Sequence, residues 1–289
     1  MTKHISSLIT DIYRLVGSKD GWFDEEIAKG FSGELGQRLV ENLTTRDKVP
    51  TLRLSAMGAR CPRALWHSIH TPELAEPFPA WARIKFTYGH ILEALVIAMA
   101  KAAGHEVTGE QDELVVDGVK GHRDCVIDGC VVDVKSASSR SFAKFKDRSI
   151  GKDDPFGYLD QLDGYLVGSG MDDLVRTKDK GYLLAVDKTL GHLCLYEHHC
   201  RTEHIRERVR VYKEIIGQST PPACQCNTVP DGKSGNIRLD TRASYSAQKF
   251  SCFPNLRTFL YASGPIYLTK VIRKPDVIEI DKHGKAVYN

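Results

Sequence analysis

Two Asp-Gly pairs, at 117–118 and 128–129, constrain the fold of this 289-residue chain more than any other local feature. Each pair separates segments in which apolar and polar residues alternate, and Asp-Gly favours the tight turns that join antiparallel strands. Residues 105–136 are therefore predicted to form three antiparallel strands. The chain thus has a sheet element near its middle, against which the other segments pack.

Helical periodicity predicts helices on both sides of these strands. We expect helices at 4–17, 23–43, 80–103, 156–169 and 201–217, and further strands at 181–187, 192–198 and 276–280. This order of elements indicates a mixed α/β or α+β fold. The expected architecture is a mixed central sheet flanked by helices, with helical decoration at the N-terminal end.

We expect one structural domain with three regions. Residues 1–79 are the N-terminal helical region, and residues 80–218 are the core. Residues 219–289 are rich in Cys, Pro and Gly and are expected to pack on the core as an extension.

The composition excludes several classes of protein. Hydrophobic residues make up 42% and charged residues 27%, which is typical of a globular chain rather than a disordered one. A net charge of +3 is too small to indicate nucleic-acid binding by itself. The N-terminus lacks the apolar core of a signal peptide, and the most apolar segment, 91–104, is shorter than a bilayer-spanning helix. We therefore expect a cytoplasmic protein without membrane partners, whose eight cysteines are thiols or metal ligands.

The second predicted hairpin carries charged residues inside an apolar sequence, GHRDCVIDGCVVDVKSAS (121–138). Asp133 and Lys135 are two residues apart on a strand, so their side chains point to the same face. Counted outward from the turn, Asp124 on the partner strand lies opposite Asp133. Two adjacent carboxylates repel each other unless a cation lies between them, and Mg²⁺ or Mn²⁺ prefers such oxygen ligands. Lys135 would then orient or deprotonate a water molecule.

The Asp-x-Lys motif alone is a weak signal. A second copy lies at 231–233 in PDGKSGN, a sequence typical of a solvated turn. For the copy in the hairpin, the alternative interpretation is a surface ion pair on an edge strand. Two predicted helices favour a site instead, because one places Glu93 a turn after Gly89 and another presents Gln161 and Tyr165 on one face.

Taken together, these residues resemble the motifs of the PD-(D/E)XK nuclease superfamily, and within it the RecB-like exonucleases. The matching motifs, in chain order, are Gly89-x-x-x-Glu93, the GHRD that ends at Asp124, Asp133-Val134-Lys135, and Gln161-x-x-x-Tyr165. Four motifs in this order form a specific signal. Residues 52–280 as a whole are similar to phage-type RecB-like nucleases. The resemblance implies a restriction-endonuclease-like core.

The resemblance also implies roles for individual residues. The implied metal ligands are Glu93, Asp124, Asp133 and the carbonyl of Val134. Lys135 would position the attacking water, and Gln161 and Tyr165 would contact DNA or support the site. His90 is the alternative ligand in the first motif. The third motif departs from the commoner pattern, because its acid is Asp rather than Glu.

A basic segment lies between the third and fourth motifs. Its cationic residues are Arg140, Lys144, Lys146, Arg148 and Lys152. A cationic surface beside a metal site suits the capture of a phosphate backbone, which predicts DNA contacts here. The alternative is a solvated helix face. Phe142 and Phe145 alternate with the cations, either for packing or for base stacking.

The cysteines suggest a second site. Cys61 begins CPRALWH, which resembles the Cys-Pro-Arg element of RecB-like nucleases with a four-cysteine iron–sulfur cluster, including the CRISPR-adaptation nucleases. Those families place their other three cysteines near the C-terminus, where this chain keeps Cys252. Cys224 and Cys226 are candidates for the missing ligands, but C-x-C is a strained spacing around one metal. The set is interpreted as a degenerate site, with an iron–sulfur cluster, zinc and no metal all left open. The other four cysteines are expected in the core.

These observations predict a divalent-metal-dependent DNA exonuclease that hydrolyses phosphodiester bonds in phage DNA recombination or processing, in the cytoplasm of a host cell. The expected cofactor is Mg²⁺ or Mn²⁺. The expected partners are single- or double-stranded DNA and a single-strand annealing or binding protein. Two alternatives stay open, namely a structure-specific or single-strand endonuclease and a non-catalytic DNA-binding or assembly module that keeps the nuclease fold.

Overall fold

The structure is a computed structural model that describes residues 3–19, 21, 24–43, 49–77 and 79–287. The α-helices within these residues are α1 (Leu8–Val16), α2 (Glu25–Leu43), α3 (Pro62–His70), α4 (Ala80–Ala102), α5 (Ser139–Lys146), α6 (Tyr158–Gly168), α7 (Thr202–Ile216), α8 (Thr241–Ser244) and α9 (Lys249–Cys252). The strands are β1 (Val107–Thr108), β2 (Glu113–Val116), β3 (Val119–His122), β4 (Cys125–Ile127), β5 (Cys130–Ala137), β6 (Thr177–Asp187), β7 (Leu193–His199), β8 (Thr228–Pro230), β9 (Ile237–Leu239), β10 (Arg257–Tyr261), β11 (Gly264–Lys270) and β12 (Glu279–Ile280). Phe23, where the second predicted helix was expected to begin, lies outside the described residues.

A five-stranded sheet in the order β1-β4-β5-β6-β7 forms the centre of the fold. β5 and β6 are parallel, and the other neighbouring strands are antiparallel. Helices α5 and α6 lie in the connection that the parallel pair requires. The predicted fold class, a mixed central sheet flanked by helices, is confirmed.

Both Asp-Gly pairs form the predicted hairpin turns. Asp117 and Gly118 have φ angles of 47° and 83°, and Asp128 and Gly129 have 51° and 77°. Positive φ at both central residues is the geometry that Asp-Gly favours in hairpins. The predicted number of strands was wrong, because the region contains five strands and β2 pairs with β3 outside the central sheet. The chain leaves the β2–β3 hairpin at Arg123, whose buried side chain forms ion pairs with Asp112 and Asp172.

β5 carries a separate core on each face, because alternate strand residues point to opposite sides. Val132 and Val134 pack with residues of α1 and α4 on one face. Val131 and Ala137 pack with residues of α5, α6 and α7 on the other. A charged residue at an odd-numbered position of β5 therefore faces the α6 side of the sheet.

The C-terminal region contains a second five-stranded sheet, in the order β12-β10-β11-β9-β8. Its small core includes Leu239, Ala243 and Leu256. The sequence analysis expected a single late strand here and missed the other four. Short strands among Pro, Gly and Ser carry little alternation, so the long-range pairing that stabilises them leaves a weak local signal.

None of the helices within the described residues is both long enough and apolar enough to cross a membrane. Helix α4, the longest within the described residues, contains the charged residues Arg83, Lys85, Glu93 and Lys101.

Candidate functional site

Asp133 and Lys135 form an ion pair inside the protein. Nζ of Lys135 lies 2.7 Å from Oδ2 of Asp133, and Asp133 is 0% exposed. β5, which carries both residues, has β4 on one side and β6 on the other. The alternative interpretation, a surface ion pair on an edge strand, is therefore wrong.

Asp124 lies immediately before β4 and faces the same part of β5. Cys125 pairs with Val132 in the antiparallel register, so the next position outward places Asp124 opposite Asp133. Oδ2 of Asp124 accepts a hydrogen bond of 2.7 Å from the backbone N–H of Val134. The N–H and C=O of one strand residue point to the same side of the strand. The carbonyl of Val134 therefore also points towards Asp124.

The electrostatics of the pair reflect its burial. Burial raises the pKa of Asp133 to about 7, and the nearby carboxylate of Asp124 adds to the rise, whereas Lys135 opposes it. Burial alone would lower the pKa of Lys135, but the carboxylates of Asp133 and Asp124 outweigh it and raise that pKa above its ordinary value. Lys135 therefore stays protonated at neutral pH. A further cation would favour the ionised form of Asp133.

The residues around Asp133 fit a hard divalent cation. Oδ2 of Asp133 is buried, and its neighbour among the described residues is Nζ of Lys135 at 2.7 Å. The neighbouring donors are the carboxylate of Asp124 and the carbonyl of Val134, and oxygen ligands of this kind suit Mg²⁺ or Mn²⁺. Two carboxylates and a carbonyl beside a single ammonium offer the kind of oxygen ligands that such a cation uses.

The first-motif residues lie on α4, which packs against β5. A Cβ on Gly89 would lie 3.5 Å from Oγ of Ser136, so the helix passes close to the end of this strand. Oε1 of Glu93 accepts a hydrogen bond of 3.0 Å from Nε2 of Gln111. His90 is half-buried on the same helix. The amide of Gln111 is therefore one partner of Glu93, and the ligand role of Glu93 stays a prediction.

Helix α6 brings Gln161 and Tyr165 to the ion pair. Oε1 of Gln161 accepts a hydrogen bond of 3.2 Å from Lys135, and Nε2 lies 3.5 Å from Oδ1 of Asp133. The same Nε2 donates a hydrogen bond of 2.7 Å to the hydroxyl of Tyr165. The amide therefore spans the two charged residues and is itself fixed by the tyrosine one turn later.

Tyr158 is a residue of this site that the sequence analysis missed. Nζ of Lys135 lies 4.8 Å from the centre of its ring, a cation–π contact. Tyr158 begins α6, one helical turn before Gln161. Its place one turn before the Gln161-x-x-x-Tyr165 motif could therefore have indicated that it faces the same site. The ring covers the ammonium and limits its hydration.

Two buried carboxylates anchor α6. Asp160 is 1% exposed and receives Arg60, Arg201 and His204. Asp163 is fully buried, and its Oδ1 lies 2.7 Å from Nε2 of His198. Because a buried carboxylate is stable only with partners, these contacts determine where the helix lies.

The basic segment has a packed side and a solvent side. Phe142 and Phe145 are buried in the core, so they serve in packing and not in base stacking. Nζ of Lys144 lies 2.5 Å from Oδ2 of Asp153, and the guanidinium of Arg148 lies 5.2 Å from the centre of the ring of Tyr196. The other three cations of the segment, Arg140, Lys146 and Lys152, are exposed to solvent. DNA contacts of the five cations stay a prediction.

Four cysteines, which we call the cysteine quartet, converge at a second place. They are Cys61, Cys224, Cys226 and Cys252, and all four Sγ atoms lie within 4.8 Å of one another. Cys61 precedes α3, Cys252 ends α9, and the other two lie on the loop between α7 and β8. The C-x-C spacing that suggested a degenerate site does not prevent this convergence. The quartet is able to bind a metal.

The distances within the quartet fit a single ion. Sγ of Cys61 lies 3.8 Å from Sγ of Cys224 and 3.8 Å from Sγ of Cys252. A tetrahedron with metal–sulfur bonds of about 2.3 Å has sulfur–sulfur edges of about 3.8 Å. The N–H groups of Gln225 and Cys226 point at Sγ of Cys61 and Cys224, each at 3.4 Å. The thiols are close enough to share a proton, because contact with Cys226 and Cys252 lowers the pKa of Cys61 while contact with Cys252 and Cys61 raises the pKa of Cys226.

The remaining four cysteines have no such arrangement. Cys125 and Cys130 are buried in the core, and Cys194 and Cys200 are half-buried against it. Burial raises the pKa of all four thiols. They are small packing residues in the protonated form.

Comparison with known proteins gives limited similarity. No family model matches the chain, and no curated protein matches it. Among solved structures, SSO0001 aligns with a TM-score of 0.43 and 19% identity, over 80% of this chain and 98% of that chain. The exonuclease LHK-Exo, solved in complex with dAMP, aligns with a TM-score of 0.35 and 13% identity, over 57% of this chain and 89% of its own. Similarity at this level does not assign a function, which therefore depends on the geometry of the sites.

Proposed function

We propose that this protein is a divalent-metal-dependent deoxyribonuclease. The observation that carries the proposal is the buried pair of Asp133 and Lys135 beside Asp124. A fully buried Asp133 beside the half-buried Asp124 and Lys135 is unfavourable for stability alone, because desolvation opposes its charge. Perturbed, partly unsatisfied charges of this kind are typical of functional sites.

Each residue has a role that follows from its contacts. Asp124, Asp133 and the carbonyl of Val134 would hold the ion, with Glu93 as a further ligand from α4. When bound, Mg²⁺ or Mn²⁺ supplies positive charge to the phosphate oxygens and makes water more acidic. Lys135 is kept protonated by its carboxylate neighbours, so it donates hydrogen bonds to water or phosphate rather than removing a proton.

The exonuclease mode and the role in phage DNA recombination or processing rest on the resemblance of the motifs. The competing possibility is a structure-specific or single-strand endonuclease. End-labelled linear DNA and a circular single strand separate these modes, because a strict exonuclease degrades the former and leaves the circle intact.

The decisive experiment is digestion of end-labelled single- and double-stranded DNA with Mg²⁺, with Mn²⁺ and with a chelator. We expect metal-dependent cleavage by the wild-type protein and none by Lys135→Ala. Lys233→Ala, in the second Asp-x-Lys copy, is the matched control, because Lys233 is exposed in a turn, and it should retain full activity. Cleavage by Lys135→Ala at the wild-type rate would contradict the assignment.

A non-catalytic DNA-binding or assembly module is the third candidate. Calorimetric titration with Mn²⁺ tests it without DNA. We expect Mn²⁺ binding that is lost in Asp124→Asn and in Asp133→Asn. A protein that binds DNA but shows no Mn²⁺ binding dependent on these two residues would be such a module.

For the cysteine quartet we propose one tetrahedral ion, zinc, rather than an iron–sulfur cluster. The 3.8 Å sulfur separations support this choice, because they match the edge of a tetrahedron around one ion. Protein purified without oxygen should contain one zinc per chain and neither iron nor sulfide. Cys252→Ser should lose the metal, and Cys194→Ser should keep it. Iron and sulfide in equal amounts would show that a cluster occupies the quartet instead.

A further inference from the structure

A cavity of about 320 Å³ lies between the cysteine quartet and the start of α6. Four segments form its walls, around residues 55–64, 155–156, 225–227 and 240–246. The side chains that give it chemical character are Arg60, Phe156, Gln225, Asn227, Arg242 and Tyr245. Two members of the quartet, Cys61 and Cys226, also border it. The nuclease site described above does not include this cavity.

Two aromatic rings at the cavity are exposed to solvent. Phe156 is 40% exposed and Tyr245 is 70% exposed. Their ring centres lie 5.5 Å apart in an edge-to-face arrangement. Rings packed only for stability would be covered, whereas these two leave ring surface open to a ligand.

The rings continue into the active site without a break. Phe156 stacks on Tyr158 with ring centres 5.6 Å apart. Tyr158 is the ring over which Nζ of Lys135 lies at 4.8 Å. A continuous row of aromatic rings therefore leads from the ammonium of the nuclease site to Tyr245. At about 3.4 Å per stacked nucleotide, the two ring-to-ring steps correspond to about three nucleotides.

The polar groups at the cavity are mainly cationic and fit phosphates. Arg60 and Arg242 are both partly exposed. Arg60 uses one nitrogen for Asp160, and a guanidinium has further donors. Arg242 lies 3.9 Å from Asp153, beyond hydrogen-bond distance. Asp240 also borders the cavity, and its Oδ1 accepts a hydrogen bond from the N–H of Ala243, so one carboxylate stands beside two guanidinium groups.

We propose that this cavity is a base-stacking subsite for single-stranded DNA, about three nucleotides from the phosphate that the nuclease site cleaves. The inference rests on the proposed nuclease function and adds that the DNA substrate is single-stranded. A base stacks on the exposed ring surface of Phe156 or Tyr245 only when one of its own faces is free, and stacking on neighbouring bases in a duplex keeps both faces covered. The segment that carries Cys61 forms one wall of the cavity, so a metal bound to the cysteine quartet would hold that wall in place.

Binding to a fluorescein-labelled oligothymidylate tests the subsite, measured by anisotropy with full-length protein that carries Lys135→Ala to prevent cleavage. Adding Tyr245→Ala should weaken single-strand binding about tenfold. Tyr245→Trp should restore it, whereas Tyr245→Leu should not, because an aromatic plane is required. Tyr245 is largely exposed, so these variants should keep the wild-type melting temperature. Phe156→Ala provides a second, independent variant.

Each outcome has a distinct meaning. Unchanged single-strand binding in both Tyr245→Ala and Phe156→Ala would overturn the subsite, even if the wild-type protein cleaves DNA with Mg²⁺. Equal loss of binding to a blunt hairpin duplex would overturn the single-strand preference. If the wild-type protein cleaves nothing with any metal but binds single strands in a ring-dependent way, the nuclease proposal fails and the subsite stands.

Discussion

Nη1 of Arg60 lies 2.5 Å from Oδ2 of Asp160, and this ion pair joins the residue before Cys61 to the residue before Gln161. The cysteine quartet and the nuclease site are thus connected through one buried carboxylate. Burial alone would raise the pKa of Asp160, but Arg208 and Arg60 outweigh it and hold that pKa below its ordinary value. The position of α6 therefore depends on charges supplied by the segment that also carries Cys61.

Asp160→Asn should lower the free energy of unfolding by about 3 kcal/mol, because it removes the charge of a buried carboxylate that pairs with several partly exposed cations. Denaturant unfolding measures the change. Asp173→Asn, on an exposed loop, is the matched control and should change stability little. Equal stability of the two variants would show that the contacts of Asp160 do not hold the helix in place.

The stability of the metal-free protein should fall as pH rises towards 7, through Asp133. Burial raises the pKa of Asp133 to about 7 in the folded chain, whereas an unfolded Asp has a pKa of about 4. Between these values the folded chain keeps a proton that the unfolded chain has released. This contribution to stability is complete below the unfolded pKa and is lost as pH rises through the folded pKa.

Between about pH 5 and about pH 7 the loss should reach about 2 kcal/mol. Urea unfolding of chelator-treated protein across this range measures it, with Asp133→Asn as the comparison. The variant should lack this part of the pH dependence, because its amide does not titrate. Parallel profiles for the two proteins would mean that Asp133 is ionised throughout.

Gln161→Ala should reduce turnover about a hundredfold while leaving DNA affinity nearly unchanged. Gln161 positions Lys135 and Asp133 through its two amide atoms, and small errors in position reduce rates strongly. Tyr165→Phe removes only the hydroxyl that holds the amide, so a smaller loss is expected. Saturation kinetics on labelled DNA separate turnover from affinity. A rise in KM with unchanged turnover would instead make Gln161 a DNA-binding residue.

Gly58→Ala should destabilise the fold by about 2 kcal/mol or more. A Cβ on Gly58 would lie 2.7 Å from Cα of Gly157 and 2.7 Å from the carbonyl oxygen of Phe156, so the backbone itself must move. Gly30→Ala in α2, where nothing lies within 4 Å of the new Cβ, is the control and should stabilise its helix by about 1 kcal/mol. Similar melting temperatures for the two variants would contradict the close backbone contact at α6.

The spacing of residues along one helix or strand determined which of its side chains lie on the same face. Two-residue spacing on β5 placed Asp133 and Lys135 on one face, and the Asp-Gly turn brought Asp124 opposite Asp133. Four-residue spacing placed Gln161 beside Tyr165. These relationships span a few residues, so backbone geometry alone predicts them. For the same reason, the five expected helices and the strands β6 and β7 were found close to their predicted bounds.

Only the tertiary structure decided which distant segments meet. The cysteine quartet draws on residues from 61 to 252, which resemblance had named as candidates, but no local pattern showed that their four sulfurs lie within 4.8 Å of one another. The second sheet, the pairing of Arg60 with Asp160, and the row from Tyr158 to Tyr245 were equally absent from local pattern. Such contacts depend on where whole elements pack, which short-range propensity does not encode, because the free energy of packing comes from surfaces far apart in the chain.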